Sequence, residues 1–583
     1  MYSLQTKFGK EINKECPLCE YPRPQLKRDN YTMLNGVWQY AINHIEENFT
    51  DYTGDIIVPF SPETRLSGVQ EQLLKDEVLY YKREFNYAKS ADKDRVLLHF
   101  DAVDYIAEVK LNGEVVGKHK GGFLPFVIDI TDTIKEENIL EVKVTDPSET
   151  GPQARGKQRL KRGGIFYTAQ SGIWQSVWIE EVNDNYIERL KITPNIDADL
   201  VAVELFTKSE ISGGAVEVLK DGKVIATKIF TGNEFVVELE NYELWSPENP
   251  VLYDLKIKAD KDEVESYFAM RKFAVEEDKK GIKRFFLNNK PYFPNGLLDQ
   301  GYWSDGLLTP PSDEAMIYDI QTMKDMGFNM LRKHIKIEPL RWYYHCDRLG
   351  MIVFQDFING GGREDMIRMG LAGLLHIKVS DSNYWFFSRK NTAGRTEYLN
   401  DIEKIINHLY NVPSIAVWVP FNEGWGQFDS RLVVDKILHY DITRLVDHAS
   451  GWVDQGIADF RSLHIYWRKV NIPKDHRCVI LSEFGGYSMP IEKHYVKQSK
   501  SFGYKFIKNK EQLTKDLQKL YSRDVEGNIK KGLSAAIYTQ VSDVEDEING
   551  LLTFDREVTK VDVLDMKAIN DKVYKEFDNQ VNG

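Results

Sequence analysis

Ile415-Ala416-Val417-Trp418-Val419-Pro420 runs without a break into Phe421-Asn422-Glu423-Gly424-Trp425. The opening residues form an apolar run of strand length with no polar alternation, which suits a strand covered on both faces, as in a parallel sheet. Cys478–Ser482 (CVILS) repeats the design and runs into Glu483-Phe484-Gly485-Gly486. Phe328–Arg332, Met351–Gln355, Val479–Glu483 and Ser534–Gln540 are further strand-like runs. Amphipathic helical stretches lie between them: Ser312–Met326, opened by the cap and acids of Ser312-Asp313-Glu314, then Leu399–Tyr410 and Leu432–Leu445. From Phe285 onward this alternation predicts parallel β/α architecture, and about 300 residues is the length of one (β/α)8 (TIM) barrel. The barrel is placed at residues 276–583, with the weakly periodic Gly360–Thr396 as a long loop over its mouth.

Upstream the pattern is all β. Tyr80–Tyr87 alternates, Arg95–Phe100 is a buried run, and Ala107–Leu111 leads through Asn112-Gly113, a strong two-residue hairpin signal, into Val115–Val116. With Ile139–Val144 and Ser176–Val182 these predict a jelly-roll β-sandwich over residues 1–185. Ala202–Phe206, Ala215–Leu219, the turn Asp221-Gly222, Phe235–Leu239 and Leu252–Ala259 follow, punctuated by Trp245-Ser246-Pro247 and Asn249-Pro250. They predict an immunoglobulin-like sandwich over residues 186–275, its last strand ending near Lys272.

Composition excludes several classes of function. The 583 residues carry a net charge of −13, which opposes binding to nucleic acid, and the most basic stretch, Arg155 to Arg162, reads as a glycine-bearing loop. No apolar run reaches the ~18 residues of a membrane span. The polar start, Met1 to Lys14, has no signal-peptide core and points to the cytoplasm. Cys16, Cys19, Cys346 and Cys478 are too few for a disulfide framework, and Cys16-Pro-Leu-Cys19, without a second pair, is read as incidental in a flexible tail.

Barrel enzymes carry their chemistry where strands end, and Glu423 and Glu483 both stand at such ends, followed by glycines that let the backbone turn. A glutamate in that place is often no more than a solvated loop charge or a helix N-terminal acid. Two of them facing one another could instead supply the protonated and ionised carboxyls that cleave a glycosidic bond. Asn422 is suited to a sugar hydroxyl, and Trp425 either stacks on a pyranose or belongs to the core.

The chain resembles glycoside hydrolase family 2, the β-galactosidases, β-glucuronidases and β-mannosidases. Tyr21-Pro22-Arg23-Pro24-Gln25-Leu26 with Leu34-Asn35-Gly36-Val37-Trp38 is similar to the family's N-terminal signature. Phe123-Leu124-Pro125-Phe126 and Ser171-Gly172-Ile173-Trp174-Gln175 are similar to its sugar-binding-type sandwich. Asn422-Glu423 resembles the acid/base signature, and Ser482-Glu483-Phe484-Gly485 the nucleophile signature. The resemblance implies a retaining exo-β-glycosidase working by double displacement, with Glu423 as acid/base, Glu483 as nucleophile and no metal or cofactor. It further implies that Tyr466, in His464-Ile465-Tyr466, bonds the nucleophile, and that Arg332 and His334 line the pocket. The family's usual histidine lies three residues after the arginine, where this chain has Ile335. Trp303, Asp356 and Gln540 are further pocket candidates, and the loop Arg155 to Gln158 could reach the barrel from the first domain.

The implied partner is an oligosaccharide or glycoside, with neither nucleic acid nor membrane, and a homo-oligomer stays open. A β-galactosidase-like activity is the first expectation, although Tyr538-Thr539-Gln540 stands where β-galactosidases of the family carry a Trp platform. β-Glucuronidase, β-mannosidase and arabinopyranosidase are the alternatives. The Asn-x-Lys carboxylate reader of β-glucuronidases occurs only as Asn570-Asp571-Lys572, in a predicted helix, and Lys333 and Lys336 are read as exposed. A non-catalytic carbohydrate-binding protein on the same scaffold is the rival of a different class, and retention of both glutamates opposes it.

Overall fold

The computed structural model describes residues 4–363, 365, 368, 370, 379–496 and 501–582. The first unit is a two-sheet sandwich. Gly54–Val58, Gly36–His44, Glu77–Asn86, Glu137–Thr145, Ile106–Leu111 and Glu114–Lys120 form one sheet in that order, and Tyr31–Met33, Val177–Val182, Arg95–Phe100 and Phe126–Asp129 the other. Inward residues of both, among them Trp38, Tyr81, Phe100, Val109, Val142 and Ile179, make a closed core. Asn112 and Gly113 both take positive φ, 53° and 84°, the backbone that a two-residue hairpin matching strand twist requires.

The second unit pairs a three-stranded sheet (Arg189–Asn195, Leu200–Phe206, Glu234–Glu238) with a four-stranded one (Lys223–Phe230, Gly214–Lys220, Tyr253–Ala259, Asp262–Phe268). Lys223–Phe230, absent from the sequence reading, is an edge strand whose Val224, Ile225 and Ile229 are exposed, so it lacks the in/out alternation that marks a half-buried strand.

Eight parallel strands build the third unit: β1 (Asn295–Asp299), β2 (Met330–Lys333), β3 (Ile352–Asp356), β4 (Ile415–Val419), β5 (Leu445–Val446), β6 (Phe460–Ile465), β7 (Cys478–Gly485) and β8 (Leu533–Thr539). They pair in the order β5-β4-β3-β2-β1-β8-β7-β6, a barrel closed except between β5 and β6. Asp459 bridges that seam: its N–H donates to the Val446 carbonyl (3.2 Å) and its Oδ2 accepts the Val446 N–H (2.8 Å). All eight C-terminal ends open on one face, where the predicted site residues gather.

Several expectations are corrected. The helix expected over Leu432–Leu445 ends at Tyr440, and Leu445 belongs to β5. Of the expected loop Gly360–Thr396, residues 364, 366, 367, 369 and 371–378 lie outside the described residues. Its C-terminal end is already helix, since Asn391 Oδ1 accepts the Gly394 N–H (2.9 Å) and caps Thr392–Leu409. The N-terminal segment is not a loose tail. Asp305 Oδ2 accepts from both the N–H and the hydroxyl of Thr6 (2.8 Å each), Asn35 Nδ2 donates to the Pro17 carbonyl (2.9 Å), and Cys16 and Cys19 are joined in a disulfide. Among the described residues no helix is long and apolar enough to cross a membrane.

Gly296 lets β1 and β2 approach closely, because a Cβ there would sit 2.0 Å from the Met330 carbonyl oxygen. Gly296→Ala should therefore push β2 outward and cost about 1–3 kcal/mol. Differential scanning calorimetry should show a lower unfolding midpoint, and an unshifted midpoint would refute this packing constraint.

Candidate active site

Arg332, the next-to-last residue of β2, is a fully buried guanidinium with partners on β3, after β4 and on β7. Its Nε and Nη2 bond both oxygens of Asp356 on β3 (3.0 and 2.9 Å), and Nη2 also donates to Asn422 Oδ1 (2.8 Å). Nη1 donates to Glu483 Oε1 on β7 (3.0 Å). Arginine has only donors, so the Asn422 amide must present its oxygen to Arg332. The Asn422 NH2, which bonds no described residue, is thereby free for a ligand acceptor.

Glu483 is buried, and its second oxygen, Oε2, accepts the Tyr466 hydroxyl. Burial alone pushes the Glu483 carboxyl up, but the fields of His464 and Arg332 override it and hold the group down at about 2. The Tyr466 ring is clamped face to face on Tyr504, 3.6 Å between centroids. Its hydroxyl also lies 3.2 Å from Thr539 Oγ1 at the end of β8.

Glu423 follows β4 with a positive φ of 52°, strained for a residue with a Cβ. The chain is pinned there by the Glu423 N–H donating to the Ser450 carbonyl and the Ser450 N–H donating to that of Phe421 (2.8 Å each). Glu423 Oε1 lies 2.8 Å from His464 Nδ1, while His464 Nε2 meets Ser450 Oγ at 3.0 Å and Glu483 Oε1 at 3.5 Å. An oxygen of Glu423, an oxygen of Glu483 and a ring nitrogen of His464 all lie within 4.8 Å of one another. Among the described residues this is the one cluster with donors for a metal ion, and those donors are already bonded to each other, to Arg332 and to Tyr466.

The other expected residues divide into two groups. His334 and Asp356 join the cluster: His334 Nδ1 lies 2.6 Å from Asp356 Oδ2, and burial, reinforced by Lys157 and Arg332, holds the imidazole neutral. Nδ1–H then donates to Asp356, and Nε2 is a buried acceptor without a partner. Trp425 stacks on Phe166, 5.3 Å between centroids, which makes it a wall between barrel and first sandwich. Two residues are engaged elsewhere. Trp303 packs on the Arg556 guanidinium (4.2 Å). Gln540 is fully buried, with its oxygen accepting from Gln300 and its NH2 donating to Asn549 (2.9 Å each).

Lys333 and Lys336 are buried rather than exposed. Lys333 is neutralised by Asp299 (2.6 Å) and Glu338 (2.7 Å), and Lys336 by Glu338 (2.8 Å). Asn570 lies in the C-terminal helix Val563–Asn582, bonded to Asn295 and to the Met326 carbonyl at the far end of the barrel (2.8 Å each).

Three family sequence profiles match this chain in order: "glycosyl hydrolase 2 galactose-binding domain-like" over residues 57–212, "glycosyl hydrolases family 2" over 185–271, and "glycosyl hydrolases family 2, TIM barrel domain" over 280–497. The chain belongs to glycosyl hydrolase family 2. A β-galactosidase from Thermoanaerobacter pseudethanolicus is 26% identical over 386 residues, 62% of this chain and 47% of its own length. The β-glucuronidase of Streptococcus agalactiae is 21% identical over 429 residues, 69% of this chain and 68% of its own. This family-2 chain thus spans about half the length of the β-galactosidase relative. Among solved structures, a β-D-glucuronidase of Dictyoglomus thermophilum superposes with a TM-score of 0.73 at 18% identity, covering 95% of this chain and 98% of that one. A Ruminococcus gnavus β-glucuronidase does so with 0.75 at 18%, covering 94% and 98%. These likenesses establish the fold.

Sequence reasoning missed Ser450 and Tyr504, which belong to no local pattern and meet His464 and Tyr466 only through folding. The Arg155 to Gln158 loop carries local basicity as its one sequence signal.

The Glu483 contribution to stability has a definite sign. A carboxyl held at about 2 in the folded protein, against about 4.3 unfolded, stabilises fully above about pH 4 and loses that effect as pH falls toward 2. Arg332→Met should destabilise by about 3–5 kcal/mol, because it strands two buried carboxylates. It should also flatten the rise in thermal midpoint between about pH 2 and pH 5. An unchanged slope in a pH series of melts would show that Arg332 does not hold Glu483 ionised.

Proposed function

We propose that the protein is a retaining exo-β-glycosidase in which Glu483 attacks the anomeric carbon and Glu423 serves as acid and then base. The observation that carries this reading is the approach of the two carboxyl groups to within 4.8 Å. Retaining enzymes hold their carboxyls about 5–5.5 Å apart, and inverting enzymes need about 6.5–9.5 Å to admit a water.

The surrounding bonds suit the two roles. The fields of His464 and Arg332 favour the charged form of Glu483, which suits it to attack and leaves the acid role to Glu423. His464 Nδ1 occupies Glu423 Oε1. Oε2 is left to carry the proton to the leaving oxygen. When the glycosyl–Glu483 ester forms, Glu483 loses its charge, and Glu423, now ionised, takes a proton from the attacking water. Asn422 NH2, left unbonded because its oxygen accepts from Arg332, is the donor assigned here to the 2-hydroxyl, a bond that strengthens as positive charge grows at the anomeric carbon.

The names of the relatives favour galactosides and glucuronides about equally. Nitrophenyl β-glycosides of galactose, glucose, mannose, glucuronic acid and arabinopyranose separate these substrates directly.

Glu423→Ala should cut kcat/KM about 10²–10⁴-fold on glycosides with poor leaving groups, and far less on activated aryl glycosides. Azide should restore turnover of the latter, since an anion needs no general base. Equal losses on all leaving groups, without rescue, would assign the acid/base role elsewhere. For Glu483, a 2-deoxy-2-fluoro glycosyl fluoride of the preferred sugar should accumulate a covalent adduct. Mass spectrometry should find one sugar on the peptide containing Ser482-Glu483-Phe484-Gly485. A label elsewhere, or product NMR showing inversion, would refute double displacement.

A further inference from the structure

Exposure rises in steps from the glutamate cluster to the rim of the barrel mouth. Glu483 and Glu423 are 5% and 8% exposed, Tyr466 and Tyr504 are half-buried, and Trp467 is 72% exposed. One short stretch of chain makes the transition. β6 ends at Ile465, Tyr466 gives its hydroxyl to Glu483, and Trp467, the next residue, is left to solvent.

Three rings connect the buried end to the exposed one. Tyr504 lies face to face with Tyr466, 3.6 Å between centroids and 3° between planes. The indole of Trp467 meets Tyr504 at 5.2 Å and Tyr466 at 5.9 Å, inclined by 60° and 57°. The two tyrosines and the inclined indole therefore meet at a corner and do not continue as one stack. Tyr504 is held in place from the nucleophile strand. Gly486, just past Glu483, has a φ of +64°, and a Cβ on it would lie 2.3 Å from Tyr504 Cδ2. Phe502 packs edge-on against the same ring at 5.5 Å. Burial and the charges of Glu547, Glu423 and Glu483 push the Tyr504 hydroxyl up, so this ring stands within the fields of both proposed catalytic carboxylates.

A single exposed apolar side chain is ordinary on a protein surface, and place sets this one apart. Trp467 is the most exposed tryptophan among the described residues, and the other exposed one, Trp385, already has the Arg368 guanidinium on its ring (4.6 Å). In an exo-acting glycosidase the terminal sugar must reach the buried carboxyls, so the group departing from the anomeric carbon points outward. A ring at the rim then meets the leaving group and not the terminal sugar.

We propose that Trp467, with the edge of Tyr504, forms a leaving-group subsite and makes Trp467 a specificity-determining residue that favours leaving groups built on a ring, pyranose or aryl, over small alkyl ones. This rests on the glycosidase reading given above. The indole face is a broad apolar surface with a negative π-cloud, which suits the C–H face of a pyranose and the face or edge of an aryl ring. Trp467 is remote from the reacting atoms, so it holds the leaving group about equally before and during reaction, and its loss acts through KM and not kcat.

The test compares the benzyl and methyl β-glycosides of the preferred sugar, whose leaving alcohols have closely similar acidity, and a disaccharide of that sugar β-linked to glucose. Wild type should cleave the ring-bearing substrates with a kcat/KM about 10-fold above that for the methyl glycoside. Trp467→Ala should lower this ratio about 5–10-fold, through KM, and Trp467→Phe, which keeps a ring, should restore most of it. A loss on benzyl alone assigns the subsite to aryl groups, and a loss on the disaccharide alone assigns it to sugars. A second measurement uses a nitrophenyl donor with benzyl alcohol or methanol as acceptor. The acceptor oxygen attacks the anomeric carbon, the bond to Glu483 breaks, and the acceptor proton passes to Glu423. Wild type should transfer to benzyl alcohol in preference to methanol at equal concentration, and Trp467→Ala should reduce that preference about 5–10-fold. This product ratio is internal to each sample, so it decides the matter even if the variant folds poorly. Equal ratios in wild type and Trp467→Ala overturn the proposal while leaving the glycosidase reading intact. Should no glycoside be cleaved, that reading falls and the subsite falls with it.

Discussion

One buried guanidinium organises this site. Arg332 comes from β2 and grips Asp356 on β3, Asn422 after β4 and Glu483 on β7, so its hydrogen bonds span the barrel mouth. A desolvated arginine can stand there only if carboxylates surround it, and they are tolerated only because it is there. From that balance follow the ionised state of Glu483, the orientation of the Asn422 amide and the anchoring of Asp356, to which His334 bonds.

Around this hub the first sandwich is bonded to the barrel mouth. Tyr167 donates to Glu547 (2.5 Å), and Thr168 bonds Glu545 through both its N–H (2.8 Å) and its hydroxyl (2.6 Å). Glu547 in turn accepts from Asn549 (2.9 Å), which accepts from Gln540, which accepts from Gln300. This polar chain occupies the space behind β8, where the sequence offers Tyr538-Thr539-Gln540 in place of a tryptophan. Its members satisfy one another, which explains why Gln540, legible as a strand-end residue, presents no free group to the pocket.

The two glutamates were legible because each ends an apolar strand and is followed by glycines, a local pattern that a parallel barrel leaves in the chain. Helix Asp313–Asp325 was legible for a similar reason, since Ser312 caps it through the Ala315 N–H (3.3 Å). β5 is two residues long, too short for any periodicity, and β1 carries Gly296 where a hydrophobic residue would have marked it. Lys333 and Lys336 looked exposed because a lysine reads as solvated until its partners are known. Asp299 and Glu338 become their partners only when the barrel closes.

By itself, then, the sequence determined the architecture of two sandwiches and a barrel, and the two glutamates at strand ends. Those features rest on hydrophobic period and on turn and cap residues, which act within a few positions of one another. The tertiary structure alone decided which charges meet. It gave Lys333 and Lys336 their carboxylates, bound the Asn422 oxygen to Arg332, and set His464 between Glu423 and Glu483. Each of these depends on distance in space between residues as far apart as Arg332 and Asn422. Burial makes such distances decisive, because a low-dielectric interior strengthens every pairing and penalises every omission.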